Sequence, residues 1–288
     1  METARPFLVG LVGAGVTPSL TPPMHMAEAR WFGLDYVYRP IDLAVQGIAP
    51  ERIGEVLDWA ERLGFDALNI THPCKRLVID HLDRVDPVAA ALGAVNTVLL
   101  DGGRTGYNTD TSGFEAAFRD GLPGAVIDDV VVIGAGGAGS AVADALMRIG
   151  VARLTVLDQD TTRAAEVAAD LSLRHGRTVS TGPLEAALRT ADGVVHCTPT
   201  GMRDHPGLPF DPDLLRPDLW VADIVYVPLE TPLLAAARER GCRTLDGGRM
   251  AVHQAVEAFE LITGIRPDLG RMTTHFRSLV APQPAPIR

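Results

Sequence analysis

The hexapeptide Gly134-Ala135-Gly136-Gly137-Ala138-Gly139 constrains this chain more than any other segment. It follows a compact apolar run, Val130 to Ile133, and opens an alanine-rich helical pattern from Ala138 to Ile149 that Gly150 closes. A strand that enters a helix through GxGxxG is the turn of a βαβ unit shaped around a pyrophosphate. Gly134 permits the tight turn, Gly136 lets the backbone approach the phosphates, and Gly139 allows helix and strand to pack closely. The helix N-terminus adds free N–H groups and a partial positive charge. The bare pattern also suits a plain βα turn, so the next strand supplies the context. Asp158 ends that strand, 19 residues after Gly139, where a carboxylate accepts the ribose hydroxyls. Dinucleotide binding is therefore expected.

Asp158 also bears on which dinucleotide. Its charge repels the 2′-phosphate of NADP and accepts the 2′-hydroxyl of NAD. Arg163, five residues on, is the opposing signal, since an arginine there accepts a 2′-phosphate, stacks on adenine or is simply solvated. NAD is expected, with NADP as the alternative. A second glycine-rich strand end, Gly10, Gly13 and Gly15, is followed by Pro18, Pro22 and Pro23, which stop a helix from starting directly there. That loop is expected to present the hydroxyls of Thr17, Ser19 and Thr21 rather than a phosphate cradle.

Elsewhere short apolar runs alternate with helical patterns, the signature of α/β architecture. Strands are expected at Phe7 to Gly13, Tyr36 to Ile41, Ala67 to Thr71 and Val95 to Leu100. A helix is expected between Pro50 and Gly64, on the spacing of Ile53, Val56, Leu57, Ala60 and Leu63. After the glycine loop come strands at Leu154 to Leu157, Val194 to Cys197 and Val221 to Val225, with helices at Thr161 to Leu173, Met250 to Thr263 and Asp268 to Leu279. A chain of 288 residues is too long for one ordinary core and suits two domains. The boundary is expected between residues 105 and 128. The tail Ala281 to Arg288, with three prolines, is expected to fray.

Charge and composition narrow the partners. Lys plus Arg number 26 against 36 Asp plus Glu, a formal charge of −10, which disfavours nucleic acid and anionic membranes. One local lysine still suffices for a small anionic substrate. Cys74, Cys197 and Cys242 are widely spaced, which suits a reducing cytoplasm and neither a disulfide framework nor zinc. Eight histidines form no HExxH, so no metal is expected. No apolar run approaches the roughly 20 residues that span a bilayer. The run Phe7 to Val16 has a barely basic flank, no small-residue cleavage site after it, and Pro18, Pro22 and Pro23 close behind, so it reads as a buried strand rather than a signal peptide.

Two ionisable residues stand at strand ends in the first half. Lys75 follows Ala67 to Thr71, and Asp110 follows Gly106-Tyr107-Asn108-Thr109. A lysine beside an aspartate can move a proton to or from an alcohol while hydride moves to a nicotinamide. Singly, each has a simpler reading: a solvated loop lysine, and an aspartate capping the helix that starts at Thr111.

At this point several segments resemble one family. They are Ser19-Leu20-Thr21-Pro22-Pro23-Met24-His25, Asn69-Ile70-Thr71-His72-Pro73-Cys74-Lys75, Gly93-Ala94-Val95-Asn96-Thr97 and Gly106-Tyr107-Asn108-Thr109-Asp110-Thr111-Ser112-Gly113. Beyond the glycine loop come Cys197-Thr198-Pro199-Thr200-Gly201-Met202, Asp223-Ile224-Val225-Tyr226-Val227-Pro228 and Gln254-Ala255. Their order and spacing resemble the shikimate dehydrogenase family over about residues 7 to 280, and most nearly its bacterial NAD-linked quinate/shikimate dehydrogenases.

The resemblance implies an N-terminal α/β substrate-binding domain and a Rossmann-like NAD(P)-binding domain, with an active-site cleft between them. The substrate domain would take residues 1–110 with helices returning at 248–288, and the nucleotide domain residues 111–247. It implies that Ser19 and Thr21 hold a substrate carboxylate, that Thr71, Asn96 and Gln254 bind ring hydroxyls, and that Lys75 and Asp110 act as the catalytic pair. Gly136 and Gly137 would meet the pyrophosphate. Thr200, Gly201, Met202, Val225 and Gly247 would line the rest of the nucleotide path. The implied reaction is reversible oxidation of the C3 hydroxyl of quinate or shikimate with NAD, in a cytoplasmic monomer or homodimer serving aromatic biosynthesis or quinate catabolism.

This chain also departs from the family pattern. Met26 replaces a frequent Asn after His25, which leaves the role of His25 open, packing included. Thr21 replaces the Ser of biosynthetic members, and Gly247-Gly248-Arg249-Met250 replaces a Gly-Leu-Gly-Met type segment. Both speak against strict shikimate specificity. Asp158-Gln159-Asp160 replaces an Asn-Arg-Thr type segment and speaks against NADP. The rivals are an NADP-linked biosynthetic shikimate dehydrogenase, an aminoshikimate-type relative, and a non-catalytic dinucleotide-sensing protein on the same fold.

Overall fold

The computed structural model describes residues 5–281. The rest of the tail expected to fray lies outside the described residues. The chain forms two compact units. One runs to Thr109 and takes up the chain again at Ala255; the other is Asp110–Gln254. By contacts the return falls at Ala255, inside a helix that starts at Gly247.

The first unit holds strands β1 (Phe7–Gly13), β2 (Tyr36–Asp42), β3 (Ala67–Ile70), β4 (Arg84–Val85), β5 (Thr97–Leu99) and β6 (Thr105–Tyr107). They form one mixed sheet in the order β2-β1-β3-β5-β6-β4. Pairing is parallel from β2 through β1 to β3, and β5 runs antiparallel to both β3 and β6. The carboxyl ends of β1, β3 and β6 and the start of β5 therefore share one sheet edge. That edge receives the Ser19, Lys75, Asn96 and Thr109 segments.

Helices of this part are α1 (Thr21–Trp31), α2 (Leu43–Gln46), α3 (Ile53–Arg62) and α4 (Pro87–Leu92). Pro22 and Pro23 lie in the first turn of α1, where a missing N–H costs nothing. The prolines thus delay the helix after Gly13 and then start it. In α3, Ile53, Val56, Leu57 and Ala60 are all buried, one face at helical spacing.

The second unit is built on α5 (Asp110–Gly121), β7 (Asp129–Ile133), α6 (Gly137–Ile149), β8 (Arg153–Leu157), α7 (Thr161–His175), β9 (Val179–Ser180), α8 (Leu184–Thr190), β10 (Gly193–His196), β11 (Trp220–Asp223), α9 (Pro232–Glu239) and β12 (Thr244–Leu245). Helix α10 (Gly247–Thr263) carries the chain out of it, and α11 (Leu269–Val280) ends the described chain. All six strands are parallel, in the order β12-β11-β10-β7-β8-β9. The chain moves outward from β7 to β9 and then restarts on the other side of β7 at β10. Such a reversal opens a crevice at the carboxyl ends of the two central strands. Both the glycine loop and the Cys197–Met202 segment leave the sheet there.

Two buried carboxylates tie helices together. Glu28 of α1, 1% exposed, accepts Arg271 Nε at 2.7 Å and Nη2 at 2.5 Å, so α11 is clamped to α1. Asp144 of α6 accepts Arg148 Nε at 2.7 Å and Arg174 Nη1 at 2.5 Å, and lies 2.9 Å from His175 Nε2, which joins α6 to α7. No helix among the described residues is long and apolar enough to cross a membrane.

Candidate active site

The glycine loop divides its work by position. Gly134 sits at φ +107°, and a Cβ there would lie 2.7 Å from the Cys197 carbonyl oxygen. A Cβ on Gly139 would lie 1.8 Å from the Gly134 carbonyl oxygen. Both positions are closed by the protein itself. Gly136 differs, because a Cβ there would meet nothing within 4 Å. It caps α6 with no side-chain bond, so Gly137, Ala138 and Gly139 offer the first-turn N–H groups outward. An open backbone surface at an uncapped helix start fits a dinucleotide pyrophosphate.

Asp158 is more occupied than expected. Oδ2 accepts Ala135 N at 2.7 Å, while Oδ1 accepts Asp160 N at 2.9 Å and Arg163 Nη2 at 2.8 Å. Burial pushes its pKa up, but these hydrogen bonds outweigh burial and hold the carboxyl below its usual range. Three of about four acceptor positions are filled, which leaves one for a ribose hydroxyl. Asp158 thus braces the glycine loop as well. Arg163 is committed to Asp158, and Asp160 caps α7 through Thr162 N and Arg163 N, each at 3.1 Å.

Across the crevice, Gly201 turns at φ +93° and its N–H donates to His205 O at 2.7 Å. Met202 is 41% exposed beside it. Val225 follows β11, and its N–H donates to Asp223 Oδ1 at 3.0 Å. Gly247 opens α10 against that same turn, where a Cβ would lie 2.3 Å from the Ile224 carbonyl oxygen. The altered Gly247-Gly248 segment therefore keeps glycine where only hydrogen fits.

In the first unit, the substrate candidates follow strand ends that share one sheet edge. Ser19 Oγ accepts Thr21 N at 3.3 Å at the start of α1. Thr71 follows β3, and its N–H donates to Val12 O. The Lys75 carbonyl accepts Val95 N at 2.8 Å, which fixes the lysine backbone beside Asn96. Asn96 Nδ2 donates to Thr109 Oγ1 at 2.9 Å, and Asn96 Oδ1 accepts Thr109 N at 3.0 Å. The residue after Thr109 is Asp110. It lies in the first turn of α5, and its Oδ1 accepts Gln254 Nε2 from α10 at 2.7 Å. The fold therefore joins Asp110 to Gln254, two candidates 144 residues apart.

Thr17 qualifies one expectation. Its side chain is exposed, and its hydroxyl donates to Asp42 Oδ2 at 3.0 Å, so the donor is already engaged within the unit. Asp42, which sequence reasoning missed, also accepts Gly15 N and Thr17 N and so pins the loop that carries Ser19. Tyr38 and Asn69 were missed as well. The Tyr38 hydroxyl donates to Asn69 Oδ1, and Asn69 Nδ2 donates to Thr97 Oγ1 at 2.9 Å, behind Asn96.

His25 is a packing residue. It is fully buried among Tyr36, Tyr38 and Phe259, with Nδ1 3.1 Å from the Tyr36 hydroxyl. Nε2 has no hydrogen-bond partner among the described residues. Burial pushes its pKa from 6.5 down to about 3. Between those values the unfolded chain binds a proton that the folded chain refuses, so stability falls as pH drops through this window. His25→Phe is expected to flatten the dependence of unfolding free energy on pH between 6.5 and 4 by about 1.4 kcal/mol per unit. Urea melts at a series of pH values measure that slope, and an unchanged slope would assign the acid sensitivity elsewhere.

Comparison with known proteins places these features in one lineage. Residues 11–98 match the family described as "Shikimate dehydrogenase substrate binding domain", residues 123–202 match "Shikimate / quinate 5-dehydrogenase", and residues 248–274 match "Shikimate 5'-dehydrogenase C-terminal domain". A shikimate dehydrogenase (NADP(+)) of Arthrobacter sp. (strain FB24) is 56% identical over 285 residues, covering 96% of this chain and 97% of that protein. A quinate/shikimate dehydrogenase (NAD(+)) of Corynebacterium glutamicum (strain R) is 50% identical over 278 residues, covering 94% and 98%. The solved structure of quinate dehydrogenase from Corynebacterium glutamicum in complex with NAD superposes with a TM-score of 0.89 at 48% identity, covering 95% of this chain and 99% of that one.

Proposed function

Because the chain belongs to the shikimate dehydrogenase family, we propose that it oxidises the C3 hydroxyl of shikimate and quinate reversibly, with NAD as the preferred acceptor. The observation that carries this reading is the group of polar residues that follow the strand ends at one sheet edge of the first unit, together with the open glycine loop and the Asp110–Gln254 pair in the second. When bound, the nicotinamide supplies the hydride acceptor. The residues of this chain bind, orient and move the proton. Ser19 and Thr21 donate to the substrate carboxylate through their hydroxyls. Thr71 and Asn96 orient the ring hydroxyls, and Gln254, held on Asp110, does the same. Lys75 takes the proton from the C3 hydroxyl as its carbon loses hydride, and Asp110 shares that proton. In the reverse direction the pair returns it to the ketone oxygen.

Asp158 supports NAD over NADP. The segment 158–163 sets Asp158 and Asp160 against Arg163 alone, and Arg163 is already bound to Asp158. A 2′-phosphate would have to displace that pair and face the remaining negative charge. The opposing reading, NADP, draws on the name of the Arthrobacter relative. A turnover assay with shikimate and quinate, each with NAD and NADP, tests all of this. Higher kcat/KM with NAD is expected. Asp158→Asn is expected to narrow the NAD-to-NADP ratio about tenfold, the size of one charge-assisted contact. A wild type that prefers NADP would show that Arg163 governs the subsite. Intact shikimate turnover with none on quinate would narrow the substrate to shikimate.

A further inference from the structure

His196 ends β10 and Asp223 ends β11, and the two are register partners on neighbouring parallel strands. Both side chains are wholly shielded from solvent. His196 Nδ1 lies 3.0 Å from Asp223 Oδ1. That oxygen also accepts Val225 N at 3.0 Å, and Oδ2 accepts the Thr231 hydroxyl at 2.7 Å. A carboxylate so placed accepts only, so Nδ1 of the imidazole carries a proton. On the far side of the ring, Nε2 lies 2.5 Å from Thr198 Oγ1. Thr198 Oγ1 accepts Thr200 N at 3.3 Å and lies 3.2 Å from Thr200 Oγ1.

One imidazole therefore joins Val225 to Thr200, through Asp223 at one nitrogen and Thr198 at the other. The turns it joins have no regular secondary structure of their own. An apolar side chain of similar size would fill the same space without the cost of burying polar groups. What the polar relay adds is a fixed distance between two loops.

We propose that His196 is a positioning residue for the pyridine nucleotide. Through Asp223 and Thr198 it sets the 198–202 and 223–225 turns as one wall at the carboxyl ends of β10 and β11. This rests on the reading that Thr200, Gly201, Met202 and Val225 line the nucleotide path. The relay acts on nucleotide affinity and leaves the proton chemistry of Lys75 alone.

Two variants cut the relay at different points. His196→Asn keeps a donor near Asp223 and removes the atom that meets Thr198. Thr198→Val removes the same link from the loop side and leaves the buried pair intact, so it remains informative if His196→Asn does not fold. Each is expected to raise the dissociation constant for NADH or NADPH, whichever the wild type binds more tightly, about tenfold. The KM for shikimate is expected to stay within about twofold. The double variant should be little worse than the worse single, because both cut one link. Thr198→Ser, which keeps the hydroxyl, should restore wild-type affinity. Wild-type nucleotide affinity in both single variants overturns the proposal. So does an equal rise in both KM values that Thr198→Ser fails to reverse, since that is general loosening. Gly201→Ala tests the underlying reading, because φ +93° strains any residue with a Cβ. If nucleotide affinity survives that change, the turn is not in the nucleotide path and both readings fall. If Gly201→Ala weakens binding and the relay variants do not, only the positioning role falls.

Discussion

Lys75→Ala is expected to lower shikimate turnover by about 10²–10⁴-fold, the usual worth of general acid–base help. Binding of the nucleotide should persist, since the glycine loop lies in the other unit. The backbone at Lys75 is held independently of its side chain, by the bond from Val95 N to the Lys75 carbonyl and by the buried Cys74 beside it. The substitution removes the side-chain nitrogen while these backbone contacts remain. Asp110→Asn should cost a comparable factor. The double variant should cost little more than the worse single, because the two residues share one proton. Steady-state turnover together with NADH titration reads both quantities. Turnover within about threefold of wild type in Lys75→Ala would remove lysine from the proton path.

Gly139 and Gly136 of the loop should fail in opposite ways. Gly139→Ala places a methyl group 1.8 Å from the Gly134 carbonyl oxygen, so α6 must move off β7. Lower thermal stability and weak nucleotide binding are expected together. Gly136→Ala meets no protein atom within 4 Å. Folding should be untouched, with a melting temperature within about 1 °C of wild type, while NADH affinity falls by about tenfold or more. Thermal melts and fluorescence titration separate the cases. Normal NADH binding in Gly136→Ala would show that the pyrophosphate lies elsewhere.

That contrast also shows where sequence reading stops. The GxGxxG pattern identifies the turn, because each glycine answers a local steric demand that the chain itself displays. The strands that precede Lys75 and Asp110 are legible for the same reason, since strand ends and apolar runs are local patterns. The buried polar partners are not. Asp42 bonds back to residues 25 and 27 positions earlier, and Asp223 pairs with a histidine 27 positions earlier. Nothing in the sequence near either residue marks the contact. Sheet order is likewise set by crossovers, so the position of β10 beside β7 follows from packing rather than from any one motif. The bracing role of Asp158 depends on where the glycine loop folds back over β8. Spacing alone predicts only its reach toward a ribose.

The clamp between Glu28 and Arg271 has a consequence for how the protein is made. The two residues are 243 positions apart in the chain. At a synthesis rate of about 5–20 residues per second, the carboxylate waits roughly 10–50 s on the ribosome for its guanidinium. The nucleotide-binding unit, contiguous from Asp110 to Gln254, is complete before then. The part of the enzyme written first is thus finished last, and a premature stop anywhere before α11 strands a carboxylate in the core of the half that takes the substrate.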